Sequence, residues 1–98
     1  TVVMSGDQKL VIYRITQEAL NNISKHASAQ QVLLHFRVKY EKIVLIIQDD
    51  GQGFDPSNTP TDHFGLSFMK ERAEVIGASC SITSQVGEGT LIQVIIKL

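Results

Sequence analysis

An apolar run that ends in acids and glycines constrains this sequence more than any other feature. Residues 43–47 are all branched aliphatics, and Asp49, Asp50 and Gly51 follow shortly after them. A run that is apolar at every position, without alternation, is typical of a central strand whose two faces are both covered. Acids and glycines mark the place where such a strand ends and turns. The sequence therefore predicts a central strand with a polar, glycine-containing rim at one end.

The flanking segments predict two helices and three further strands. Apolar residues three and four positions apart predict helices over residues 8–27 and 66–76. Alternation of side chains predicts a strand over residues 31–39, and strands are also predicted over 79–86 and 91–98. This order favours a two-layer α/β sandwich, with a mixed, mostly antiparallel sheet and the helices on one face.

The length of 98 residues is enough for one domain with one core and too little for two. We therefore expect residues 1–98 to form a single unit of a larger protein. The residues expected in the core are Ile12, Ile23, Val32, Leu34, Phe36, Leu45, Ile47, Met69, Ile82, Val94 and Ile96.

Composition and motifs exclude several functional classes. The formal net charge of −1 argues against binding of nucleic acid through a broad basic surface. The single cysteine, Cys80, allows no intrachain disulfide and fits a cytoplasmic setting. The sequence contains no P-loop, no zinc-type Cys and His spacing and no G-x-S-x-G motif. Any membrane anchor of the parent protein would lie outside these residues.

One face of the first helix carries four polar groups on neighbouring turns, Glu18, Asn22, Lys25 and His26. An amide and a carboxylate oxygen suit Mg²⁺, and a lysine one turn further suits a phosphate. The alternative explanation is an ordinary solvated helix face.

The acids after the central strand suggest a second binding feature. Asp49 or its neighbour Asp50 is placed to accept a hydrogen bond from a ligand N–H, such as an exocyclic amine. Gly51 and Gly53 allow the backbone to approach a ligand closely. A polar strand end followed by a turn would explain the same residues.

Two further glycine segments complete the candidate site. Gly65 and Leu66 begin the second helix, where backbone N–H groups bind anions readily, unless the glycine is only a flexible cap. Gly87, Gly89 and Thr90 connect the last two strands, where a hairpin turn alone would also favour glycine.

These four features together resemble the N box and the three glycine boxes of the family that joins gyrase-type ATPases, Hsp90, histidine kinases and MutL. The resemblance covers about residues 8–98. The stretch from Glu18 to Ala27, EALNNISKHA, is similar to the nitrate-sensor and membrane-fluidity-sensor histidine kinases, and so is Gly65-Leu66 with Met69 and Arg72. The resemblance implies a Bergerat-type sandwich that holds ATP between a helix and a lid.

The resemblance also implies roles for the polar residues. Asn22 matches the residue that binds Mg²⁺, and Glu18 matches the position of the general base in hydrolytic relatives. Lys25 matches a residue facing the phosphates, and His26 one beside the adenine or ribose. Asp49 matches the aspartate that binds the adenine amine. Glu18 and Asn22 are thus the expected catalytic residues.

The glycine boxes take their implied roles in the same way. Gly51 and Gly53 match the pocket wall, and Thr90 matches a hydroxyl that assists Asp49. Gly65 matches the start of the helix nearest the phosphates. The lid, about residues 54–64, is short.

The implied function is that of the ATP-binding part of a two-component sensor kinase. It would bind Mg²⁺-ATP and donate the γ-phosphate to a histidine on a separate dimerisation region, from which a response regulator takes it. The isolated domain is expected to be a monomer with little turnover, and the parent a homodimer. None of the three histidines, His26, His35 and His63, has the context of a phosphoacceptor.

Three alternatives remain open at this point. The first is an ATP-hydrolysing conformational switch of the gyrase or MutL type, which Glu18 permits. The second is a serine kinase that acts on an anti-anti-sigma protein, and the third is a degenerate module that has lost ATP.

Overall fold

The computed structural model describes residues 4–58 and 65–98. Residues 59–64, which include His63 and belong to the predicted lid, lie outside the described residues. Each predicted helix and strand has a counterpart in the structure: α1 (Gly6–Asn22), which continues into a π-helical turn (Ile23–Ala27), β1 (Val32–Lys39), β2 (Lys42–Asp49), α2 (Leu66–Val75), β3 (Ser79–Ser84) and β4 (Thr90–Lys97).

The four strands form one sheet in the order β1-β2-β4-β3. The apolar strand β2 lies inside the sheet, as predicted, with β1 on one side and β4 on the other. All three pairings among these strands are antiparallel. The predicted two-layer sandwich is therefore confirmed, with the buried side chains of both helices in one cluster with the sheet.

The first helix is fixed at its start by a capping box. The Ser5 side chain accepts a hydrogen bond from the Gln8 backbone N–H, and the Gln8 side chain accepts one from the Ser5 N–H. These two bonds satisfy backbone donors that the helix itself leaves unpaired. At its other end α1 widens into the π-helical turn, and Ser28 stops it in a left-handed conformation with φ of 50°.

The core lies between the helices and the inner strands. Its buried members include five of the predicted residues, and Ile12, Ile23 and Ile82 pack partly buried against them. The buried apolar side chains are Val11, Ile15, Ala19, Ile43, Leu45, Ile47, Met69, Ala73, Ile92, Val94 and Ile96.

The prediction that β1 contributes to the core was wrong. Val32, Leu34 and Phe36 are 46%, 46% and 44% exposed. Their register with β2 places them on the core side of the sheet, but in residues 4–58 and 65–98 β1 has a strand neighbour on one side only. The cluster beneath α1 is built with β2 and β4 and does not extend over β1.

No helix in the described part of the chain is both long enough and apolar enough to cross a membrane.

Candidate functional site

An open pocket lies where the end of α1 and the first turn of α2 meet the end of β2 and the start of β4. Six of the predicted site residues line it. The walls contain Ala19, Asn22, Ile23, His26, Ala27, Asp49, Gln52, Gly53, Phe54, Leu66, Met69, Thr90 and Ile92. The pocket thus combines apolar walls with a few polar groups, which is the usual composition of a small-molecule site.

The two adjacent acids have different surroundings. Asp49 ends β2 and is 6% exposed, and its Oδ1 accepts a hydrogen bond of 2.8 Å from the Gly51 N–H inside the pocket wall. A carboxylate has room for several hydrogen bonds, so further acceptor capacity remains on Asp49. Because Asp49 is buried and lines the pocket, it can accept a hydrogen bond from a ligand there.

Asp50 instead holds the start of β1. Its Oδ1 accepts hydrogen bonds of 2.9 Å from the backbone N–H groups of Gln30 and Gln31. The bond from the Gln31 N–H is the main reason that the pKa of Asp50 lies below its ordinary value, against a smaller opposing effect of desolvation. The structure therefore separates two residues that the sequence left as alternatives.

Only some of the polar residues on the predicted face of the first helix line the pocket. Asn22 and His26 line the pocket, whereas Lys25 is exposed on the π-helical turn. Glu18 is half-buried and lies against the start of α2, because a Cβ placed on Gly65 would overlap the Glu18 side chain. Glu18 and Lys25 are not among the lining residues, so the predicted face is only partly brought together.

Two glycines are required by close contacts at this site. Gly65, the N-cap of α2, has φ of 67° and leaves no space for a Cβ beside Glu18. Gly89 has φ of 80°, and a Cβ there would overlap the Asp49 carbonyl oxygen. A larger residue at either position would have to move Glu18 or the end of β2.

Two of the other predicted glycines also lie in close contacts, and Gly53 lines the pocket. A Cβ at Gly51 would overlap the Ala27 carbonyl, and one at Gly53 would overlap the Gln85 carbonyl. Gly87 is exposed and has open space around it, so it shapes the β3–β4 turn and does not line the pocket.

Gln52 joins three parts of the site, and no sequence pattern singles it out. Its backbone N–H donates to the Ala27 carbonyl at 2.7 Å, and its side-chain amide donates to the His26 carbonyl. Its own carbonyl accepts from the Gly87 N–H at 2.7 Å. One residue of the loop after β2 thus holds the end of the helix and the β3–β4 turn together.

The apolar wall was also incompletely predicted. Met69 was expected in the core, and Phe54 and Ile92 were not singled out, yet all three line the pocket. Apolar residues that face a ligand have the same sequence pattern as those that face the core, so only the position of the cavity distinguishes them. Within the described residues no group of three or more His, Cys, Asp or Glu side chains is placed to hold a metal ion.

The fold is that of histidine kinase catalytic regions. Over the whole chain it is similar to the histidine kinase domain of the Erythrobacter litoralis EL346 blue-light activated histidine kinase, with a TM-score of 0.83, 24% identity and 51% of that chain covered. It is also similar to the Acinetobacter baumannii histidine kinase AdeS, with a TM-score of 0.78, 15% identity, and coverage of 92% of this chain and 47% of that one.

The sequence defines the family. Residues 6–98 match the family of histidine kinase-, DNA gyrase B- and HSP90-like ATPases, and the chain belongs to this family. It is 38% identical over 84 residues to the signal transduction histidine-protein kinase/phosphatase UhpB of Salmonella typhimurium, which covers 86% of this chain and 17% of that protein. It is 37% identical over 83 residues to the sensor histidine kinase LiaS of Bacillus subtilis, covering 85% of this chain and 23% of that protein.

The chain thus spans less than a quarter of these two curated relatives. It is an ATP-binding domain of the histidine kinase type, and the suspected family resemblance is confirmed.

Proposed function

We propose that this chain binds Mg²⁺-ATP in the pocket and presents the γ-phosphate to a histidine on a separate dimerisation region of a larger sensor kinase. The observation that carries the proposal is the buried Asp49 carboxylate at the end of β2, inside an apolar pocket that also contains Asn22 and Thr90. A buried carboxylate in apolar walls favours a flat ligand with an N–H donor, and adenine carries both properties.

The base would occupy the inner end of the pocket. Asp49 would accept a hydrogen bond from the exocyclic amine, and Thr90, its partner in the β2–β4 register, would assist from the neighbouring strand. Met69 and Ile92 would cover the faces of the base, because both line the same cavity. Leu66 and Gly53 would complete the wall.

The phosphates would lie toward the polar side of α1 and the start of α2. The Asn22 amide oxygen suits Mg²⁺, which takes few protein ligands and uses phosphate oxygens for the rest. His26 would flank the ribose, and Lys25 would meet the phosphates from the π-helical turn. Gly65 begins a helix of 10 residues whose first N–H groups favour an anion.

Phosphoryl transfer needs positioning and charge neutralisation more than covalent participation by the protein. The chain would therefore supply ATP in a fixed orientation, and the parent would supply the acceptor histidine, the dimer contact and the route to a response regulator. Residues 1–98 would form one cytoplasmic unit of that parent. The names of the curated relatives, all histidine kinases, support this reaction over others in the family.

One observation favours a second candidate, an ATP-hydrolysing switch. Glu18 lies against Gly65 at the proposed phosphate end, where a carboxylate would be placed to activate water. Fast hydrolysis by the isolated chain that Glu18→Gln removes would favour this candidate. Slow hydrolysis together with transfer to the parent's dimerisation region would favour the kinase.

The proposal is tested by calorimetric titration of the chain with Mg²⁺-ATP. Asp49→Asn should weaken binding by about a hundredfold or more, since it removes a charge-assisted hydrogen bond in a buried site. Asp50→Asn is the matched control, because the same change one residue later affects only the start of β1, and its affinity should stay within about twofold. If the folded wild type does not bind ATP, the proposed function is wrong.

A further inference from the structure

Ser84 is the last residue of β3 and makes three hydrogen bonds through one hydroxyl. Its Oγ accepts from the Phe54 N–H at 2.9 Å, donates to the Gly89 carbonyl at 3.0 Å and lies 2.9 Å from Thr90 Oγ1. Ser84 itself is half-buried and does not line the pocket, whereas Phe54 and Thr90 do. It therefore stands directly behind two pocket residues.

The protons of this cluster can be counted. A hydroxyl has one proton and two lone pairs. The Phe54 N–H occupies one lone pair of Ser84, and the Gly89 carbonyl, which can only accept, takes the Ser84 proton. All three bonds form at once only if Thr90 donates its own proton to the second lone pair of Ser84.

This arrangement determines what Thr90 offers to a ligand. Its only proton points back toward Ser84, so its lone pairs are available on the pocket side. Thr90 and Asp49 are opposite each other in the β2–β4 register and line the same cavity. An ionised carboxylate also only accepts hydrogen bonds. This part of the wall thus presents two acceptors side by side.

We propose that Ser84 is a positioning residue that fixes the Thr90 hydroxyl as an acceptor and thereby favours a purine with an amino group over one with a keto group. An amino group at the purine 6-position donates, whereas a keto oxygen there accepts and would face two acceptors. This inference rests on the proposed nucleotide binding and adds to it a residue outside the pocket.

The experiment measures the affinity of the chain for Mg²⁺-ATP and Mg²⁺-ITP, which differ in the 6-amino and 6-keto group. In Ser84→Ala we expect ATP binding to weaken by about three- to tenfold, the value of one hydrogen bond, and ITP binding to stay equal or improve. The ATP to ITP affinity ratio should therefore fall. Ser84→Thr keeps the hydroxyl and should restore the ratio.

Ser81→Ala is the matched control, since Ser81 lies on the same strand but is exposed, and it should leave both affinities unchanged. An unchanged ATP to ITP affinity ratio in Ser84→Ala would overturn the inference. If both affinities fell equally, Ser84 would have a general structural role. If Ser84→Ala does not fold, Ser84→Cys gives the same comparison, because a thiol is a weak hydrogen-bond partner and should lower the ratio partly. Failure of the wild type to bind ATP would instead count against the proposed function.

Discussion

The strands β1 and β2 have similarly apolar sequences and pair over their full length, yet only β2 is buried. Phe36 on β1 and Leu45 on β2 are register partners, but Phe36 is 44% exposed and Leu45 is 1% exposed. The difference lies in their neighbours, because β2 has a strand on each side and a helix above it. Within the described residues β1 has β2 alone.

This comparison shows that an apolar pattern identifies side chains that favour burial but does not identify the side chains that achieve it. The alternation of β1 predicts one apolar face, but it does not show whether a helix covers that face. The acids that follow β2 repeat the contrast, since Asp49 ends the buried strand in the pocket and Asp50 holds the start of the exposed one.

The largest expected effect is a difference in the free energy of unfolding between variants of the two register partners, Leu45 and Phe36. Leu45→Ala should lower the free energy of unfolding by about 2–5 kcal/mol, because it leaves a cavity in the core. Phe36→Ala should cost about 1 kcal/mol, since only about half of the Phe36 side chain leaves water. Urea unfolding of both variants measures the difference. Equal losses would mean that another part of the protein, or another molecule, covers β1 in solution.

A smaller effect is expected from Asp50, and it depends on pH. The pKa of Asp50 is lowered in the folded chain, mainly by the Gln31 N–H, so the ionised carboxylate stabilises the fold. That contribution is complete above the ordinary aspartate pKa of about 3.9 and is lost as the pH falls through the lower folded pKa.

Thermal unfolding of the wild type and Asp50→Asn from pH 7 to pH 2 tests this expectation. The wild type should be the more stable protein near neutral pH, and the two curves should converge in acid. A constant difference across this range would show that the Asp50 charge does not contribute.

The smallest effect concerns the turn between the two strands. Tyr40 and Glu41 both have positive φ, of 53° and 59°, which non-glycine residues adopt at a cost. Glu41→Gly should raise the free energy of unfolding by about 0.5–1 kcal/mol, because glycine adopts this conformation without strain. Glu74→Gly, in the exposed last turn of α2, is the control and should destabilise. A loss of stability in Glu41→Gly would contradict the strain argument.

Much of the fold was predictable because its signals are local. The helical spacing around Ile15 and the unbroken apolar run before Asp49 each require only a few neighbouring residues to be recognised. The glycines beside the pocket were also selected from sequence. At Gly65 and Gly89 a left-handed conformation and a close contact both require glycine.

The remaining features depend on residues far apart in the chain. Gln52 is 25 positions from Ala27 and Ser84 is 30 from Phe54, so no local pattern predicts that they meet. Met69 and Ile92 occupy apolar positions in the sequence pattern, and this pattern is the same for residues that face the core and for residues that line the pocket.

The sequence by itself determined the order of the elements, the apolar inner strand and the polar residue types at the rim where β2 ends, because these follow from local periodicity and side-chain chemistry. Only the tertiary structure decided that Asp49 faces the pocket while Asp50 anchors β1, that β1 remains exposed, and that Ser84 stands behind Thr90. Each of these outcomes depends on which neighbour a side chain meets, and strand order and packing, not local pattern, supply that neighbour.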